Sequence, residues 1–214
     1  MIRTIIFDIG NVLANYRWKE YLHSFGFSKK IEEAVASAVF LSPNWKEFDR
    51  GVVEDEEIIM RCIQQQPQYE KEILQIFEDM NDLVIEYKYA PDLIRNLKKQ
   101  GYRIYVLSNY GKTLFNRYAR KNFRFLKEID GGIISYEVKK IKPDAAIYEE
   151  LLERYKICPQ EAVFLDDTME NLEQAERMGI HTVHVTSYES IVNGLNEYGV
   201  IIGGAELIET NDCI

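Results

Sequence analysis

Two apolar runs in this 214-residue sequence stop on acids: "TIIF" runs into Asp8, and "AVFL" runs into Asp166 and Asp167. A third run, "YRIYVL", stops on Ser108 and Asn109, and "KKIKPD", just beyond a fourth, supplies Lys139, Lys140 and Lys142. An Asp at a strand end is commonly only a turn or cap residue. Together, however, the set has a chemistry. Three like charges at one place repel unless a cation neutralises them, and oxygen donors without Cys or His suit a hard ion such as Mg²⁺. Mg²⁺ suits a phosphoryl group, whose oxygens Lys142, Ser108 and Asn109 would also hold. An aspartate at such a site can attack phosphorus itself and split hydrolysis into two steps.

The elements that must gather these residues follow from hydrophobic patterning. Short apolar, β-rich runs predict strands at 2–7, 102–111, 131–136, 162–167 and 181–185, with helical patterns over 91–101, 111–121, 143–155 and 169–178. Strand and helix alternate, which predicts an α/β fold with a parallel sheet covered by helices. Ligands of such a sheet sit outside the carboxyl ends of its strands, where the acids, hydroxyl, amide and lysines lie. Between the first two strands, residues 14–89 show only helical periodicity. That is far more chain than a crossover needs, so an inserted all-helical subdomain is expected. The division expected is a discontinuous core of residues 1–14 and 90–208, a helical insert of 15–89, and a short tail of 209–214.

Composition removes other classes. With 35 acids against 26 bases the net charge is −9, which offers no broad basic field to nucleic acid or anionic lipid. No stretch approaches a membrane span or signal peptide, and the expectation is a cytoplasmic protein, monomer or homodimer. Cys62, Cys158 and Cys213 are scattered without a metal-binding pattern.

The motifs resemble those of the haloacid dehalogenase (HAD) superfamily over nearly the whole chain. "FDIGNVL" resembles the first motif, "LSN" the second, "KIKPDAAIYE" the third and "FLDDTMENLEQAERMG" the fourth. The order, with a helical insert after the first motif, resembles the helical-cap type, and "FDxGNV" resembles a subset that includes bacterial α-D-glucose-1-phosphate phosphatases. The resemblance implies a Rossmann-like three-layer core and an Mg²⁺-dependent phosphatase acting on a small phosphorylated metabolite such as a sugar phosphate. It also implies Asp8 as nucleophile, Lys142 holding nucleophile and phosphoryl group, phosphate binding at Ser108 and Asn109, and metal ligation by Asp8, the Gly10 carbonyl, Asp166 and Asp167. Asn171 would support the acidic loop, with Thr168 capping the helix that follows.

Gly10 departs from the pattern. Most phosphatases of the superfamily place aspartate there as general acid and base, a contribution worth about 10²–10⁴ in rate. Gly10 keeps the backbone carbonyl but has no proton to give, so substrates with acidic leaving oxygens, such as anomeric or acyl phosphates, are expected to be favoured. Asn15, Tyr16, His23 or an acid of the insert are the candidates to replace it. Without such a replacement, the other readings are a weak or silent binding protein and, with less support because the Asp166–Asp167 pair would go unused, a metal-independent dehalogenase. A mutase is disfavoured because it needs the acid at position 10. In the insert, "NWKEFDRG" offers Trp45 for a sugar face and Arg50 for an anion, although Trp45 and Phe48 also have the spacing of a helix core stripe. Tyr110 and Lys112 would line the entrance or cover the next helix, and His181 and His184 are expected to serve sheet packing.

Overall fold

The computed structural model describes residues 1–202; the end of the expected core, the tail and Cys213 lie outside the described residues. Five parallel strands form the main sheet: β1 (Thr4–Phe7), β4 (Arg103–Ser108), β5 (Gly131–Ile134), β6 (Ala162–Asp166) and β7 (His181–His184), in the order β5-β4-β1-β6-β7. β1 is therefore central, pairing Phe7 with Val106 on one side and with Leu165 on the other. The chain leaves β1 toward β4 and β5, then crosses back to β6 and β7, so the order reverses beside β1. That reversal opens a crevice at the carboxyl ends of β4, β1 and β6.

Side-chain alternation divides the core into two faces. Ile5, Phe7, Ile104, Val106, Val163 and Leu165 pack on one face with helices α6 (Ala90–Lys99) and α12 (Tyr188–Glu197). Ile6, Tyr105, Leu107, Ile133 and Phe164 pack on the other with α10 (Ala145–Tyr155) and α11 (Met169–Arg177). This three-layer α/β sandwich is the expected architecture. Other short elements connect β4 to α10: α7 (Lys112–Leu114), a π turn (Phe115–Ala119) and α8 (Arg120–Asn122), where one helix was expected, and α9 (Ser135–Val138).

The insert comprises α1 (Trp18–His23), α2 (Lys29–Ala38), α3 (Pro43–Arg50), α4 (Asp55–Gln65) and α5 (Glu70–Glu78). It is not wholly helical. β2 (Ala14–Tyr16) and β3 (Val84–Glu86) pair antiparallel, Tyr16 opposite Val84, so the chain enters and leaves the cap through one two-stranded ribbon. Three-residue strands are too short to show a period against the helical pattern around them. Cap residues Val35, Phe48, Ile58, Ile73 and Ile76 belong to the same apolar cluster as Ile5 and Phe7. Cap and sheet thus share one core, each fully buried Ile or Phe contributing about 1.5–3 kcal/mol to folding. Among the described residues, no helix is long and apolar enough to cross a membrane.

Candidate active site

β1 delivers Asp8 and β6 delivers Asp166 to the same edge because the two strands are in register, Phe7 beside Leu165. Between the two carboxylates lies the Lys142 ammonium, 2.9 Å from Asp8 Oδ1 and 2.6 Å from Asp166 Oδ2. All three side chains are buried. Such an ion triad is stable only with its remaining polar atoms satisfied. Here backbone and amide groups supply partners: Ile9 N–H donates to Asp8 Oδ1 at 2.7 Å, Thr168 N–H to Asp166 Oδ1 at 2.8 Å, and Asn171 Nδ2 to both Asp166 oxygens at 3.0 and 3.1 Å. Asn171 thereby holds the Asp166 carboxylate by both of its oxygens. Thr168 is the N-cap residue of α11, its carbonyl accepting from Leu172 N–H at 3.3 Å, while its hydroxyl bonds Asp167 Oδ1 at 3.3 Å instead of the helix backbone.

Lys142 is held by its backbone. Asn109 Nδ2 donates to the Lys142 carbonyl at 3.0 Å and the Lys142 N–H donates to Asn109 Oδ1 at 2.8 Å. This paired bond ties the end of β4 to the lysine loop and makes Asn109 a positioning group. The Ser108 hydroxyl favours the ionised form of Asp8.

Burial, followed by the nearby Asp166, pushes the Asp8 carboxyl up to about 7 against the pull of Lys142. Burial also disfavours the Lys142 ammonium, but Asp166 and Asp8 outweigh it and its pKa is raised. The lysine therefore stays charged and Asp8 is the member under strain: two carboxylates share one cation.

One oxygen from each of Asp8, Asp166 and Asp167 lies within 4.8 Å of the others. An all-oxygen set with a surplus of negative charge fits a hard divalent cation. The backbone bridge around Gly10 uses the Ile9 and Ala14 carbonyls, as acceptors for Ala14 N–H and Asn11 N–H, rather than the Gly10 carbonyl. Asn11, with φ of 55°, turns the chain and donates Nδ2 to Asp167 Oδ2 at 2.8 Å. Asn tolerates this left-handed conformation better than most residues.

A cavity of about 740 Å³ opens above these groups. Asp8, Gly10, Ser108, Asn109, Tyr110, Lys142, Asp167 and Asn171 line it from the core, and Phe40, Trp45 and Asp49 from the cap. The Trp45 ring packs 5.0 Å from Phe40 and 5.1 Å from Phe48, and the residue also lines the cavity. Arg50 is a correction. It pairs with Glu47 at 3.3 Å and Asp144 at 3.4 Å and is not on the cavity wall, because it lies one residue past the helix face that Trp45 and Asp49 share. His23 pairs with Glu32 at 2.9 Å, and neither it nor Asn15 lines the cavity. Lys112 reaches Glu54 at 3.8 Å; His181 packs on Tyr198, while His184 sits 3.2 Å from the Asp167 carbonyl. Asp49 was not singled out from the sequence, although its i,i+4 relation to Trp45 was the available signal.

The same architecture occurs in known proteins. A curated "Sesquiterpene phosphatase astK" of Aspergillus oryzae (strain ATCC 42149 / RIB 40) is 24% identical over 86% of this chain and 90% of its own length. The crystal structure of a HAD family enzyme from Bacteroides thetaiotaomicron is 25% identical, covers 87% of this chain and 95% of its own, and superposes with a TM-score of 0.69. A structure of that wild-type enzyme in complex with magnesium and inorganic phosphate gives 24%, 88%, 96% and 0.68. A family model for haloacid dehalogenase-like hydrolases matches residues 2–179, and with the motifs converging as described the chain belongs to that hydrolase family.

Proposed function

We propose that this hydrolase is an Mg²⁺-dependent phosphomonoesterase in which Asp8 is the nucleophile. One observation carries the reading: a buried lysine spans Asp8 and Asp166 at the floor of a cavity where three carboxylate oxygens converge. Asp8, Asp166, Asp167 and the Gly10 carbonyl would hold the cation. When bound, it would offset the phosphoryl charge and relieve the repulsion among the acids. Asp8 attacks phosphorus through its free oxygen, forming an aspartyl phosphate as the ester oxygen departs; water then hydrolyses that intermediate. Lys142 favours the ionised form of Asp8 against its burial and aims it, and its charge accompanies the phosphoryl group through transfer. Ser108 and the Asn109-braced loop hold the phosphoryl oxygens. The A. oryzae relative's name and the magnesium–phosphate complex of the B. thetaiotaomicron enzyme support this assignment.

The substrate is a small phosphorylated metabolite, and Trp45 on the cavity wall supports a sugar phosphate, with the ring against a sugar face. The apolar wall of Phe40, Trp45, Val84 and Leu114 supports a second reading, the phosphate ester of an apolar alcohol. A turnover screen with Mg²⁺ over sugar, nucleotide, acyl and apolar-alcohol phosphates separates the two. Asp8→Asn should abolish turnover of whichever ester is hydrolysed; undiminished turnover in that variant would refute the covalent route. Binding of Mg²⁺ with no turnover across the panel would favour the silent binding protein instead.

A further inference from the structure

We infer that Asp49, on the cap, is the proton donor and acceptor of this site, doing from above the work that a side chain at position 10 would do from below. The inference rests on the phosphatase reading. It starts from Gly10, whose backbone does not need a glycine: its φ is not positive, and an added Cβ would meet only Tyr16 Cβ at 3.9 Å, an ordinary contact. Room for an aspartate exists at position 10, so its absence has no steric cause. A phosphatase that can spare this acid needs another within reach of the leaving oxygen.

Among the described residues, Asp49 is the carboxylate that the cap places on the wall of the cavity that Asp8 also lines. Among the described residues, Glu170 is the other acid lining the cavity besides the acidic cluster; it is exposed on the first turn of α11 and belongs to the core side. Asp49 is half-buried and held from several directions. The Gly111 backbone N–H favours its ionised form, against the burial. Its own carbonyl accepts from Ser135 Oγ at 2.5 Å, and the same Ser135 oxygen accepts from Tyr110 N–H at 2.8 Å, locking the end of α3 to the loop after Ser108. Beside it, Phe48 packs so tightly on Gly111 that a Cβ there would lie 2.2 Å from its ring. A group fixed this firmly across the core–cap boundary is positioned for chemistry rather than for solubility. Burial, then the Asp8 charge, raises its pKa to about 8, which favours the protonated form a general acid must have.

The steps balance. As an Asp8 oxygen bonds to phosphorus and the P–O bond to the leaving group breaks, the Asp49 proton passes to that oxygen and the alcohol departs. The Asp49 carboxylate then takes a proton from water as the water oxygen attacks the aspartyl phosphate. The Asp8–phosphorus bond breaks, inorganic phosphate leaves, and both side chains return to their starting states.

Asp49→Asn, Gly10→Asp and the double variant test this with 2,4-dinitrophenyl phosphate and a primary alkyl phosphate. For Asp49→Asn the expectation is a fall of about 10²–10⁴ in kcat/KM on the alkyl ester. On the dinitrophenyl ester, whose leaving group needs no proton, a rapid burst of dinitrophenolate should precede slow turnover, with phosphate trapped on Asp8 and visible by mass spectrometry. Gly10→Asp in the Asp49→Asn background should restore the alkyl reaction at least in part, which a purely structural role for Asp49 would not allow. Equal losses on both esters with no burst, or no loss on either, would overturn the role of Asp49 alone. Failure of the wild-type protein to hydrolyse any phosphate ester would overturn the phosphatase reading and this inference together.

Discussion

Replacing Asp8 with Asn should make the protein inactive and, near neutral pH without divalent cations, more stable. The magnitude comes from the triad. In the folded chain Asp8 titrates at about 7 instead of 3.8, because it is buried and shares Lys142 with Asp166. A carboxyl whose folded pKa is raised holds a proton that the unfolded chain releases, so stability falls as pH rises from about 4 and the loss is complete above about 7. Three pKa units at about 1.36 kcal/mol each set a ceiling of about 4 kcal/mol on what the ionised Asp8 costs. Asparagine carries no charge to desolvate and can still accept from Ile9 N–H, and since the pull of Lys142 is already contained in the raised pKa, the ceiling falls only by the packing and polarity that the amide fails to match. The net expected at about pH 8 is a gain of roughly 1–3 kcal/mol, or about 2–10 °C in Tm for a chain of this size. At about pH 5 Asp8 is protonated in the wild type, so the gain should vanish or reverse. Thermal unfolding by circular dichroism in EDTA at the two pH values measures this directly. Equal Tm differences at both, or a variant less stable near pH 8, would refute the claim that the ionised nucleophile is the strained member of the triad.

Two further substitutions probe how the site is held. Gly111→Ala drives a Cβ to 2.2–2.8 Å from the buried Phe48 ring, and overpacking of this kind should cost about 1–3 kcal/mol, read as a fall in Tm of roughly 2–10 °C. Because Phe48 is the residue before Asp49, turnover should fall together with Tm in that variant. Asn109→Ala removes both hydrogen bonds to the Lys142 backbone and should lower kcat about 10²-fold or more through a misplaced ammonium, while Mg²⁺ affinity, measured calorimetrically, stays within a few-fold. A parallel loss of metal binding would show that the loop serves the acidic cluster instead.

Much of this site was legible because its residues sit at strand ends. A strand's direction and the parallel-sheet rule place Asp8, Ser108, Asn109, Asp166 and Asp167 on one edge with no knowledge of side-chain contacts. The lysine loop follows from the same logic, since it leaves the end of the neighbouring β5. Arg50 and Asp49 show where that logic stops. They are adjacent in one helix, and only the rotation of α3 over the crevice decides that Asp49 faces the cavity while Arg50 turns to Glu47 and Asp144. The β2–β3 ribbon escaped notice for a related reason: its pairing joins segments about 70 residues apart, and three-residue strands carry no periodic signal of their own.

By itself, then, the sequence determined the layer order, the cation-seeking cluster of acids and the vacancy of a side chain at position 10, all of which follow from residue type and local pattern. Tertiary structure decided which acid looks down on Asp8 and how hard the buried lysine is shared. Those depend on distances between elements remote in the chain, and on a desolvation that arises only when cap and core close over one apolar cluster.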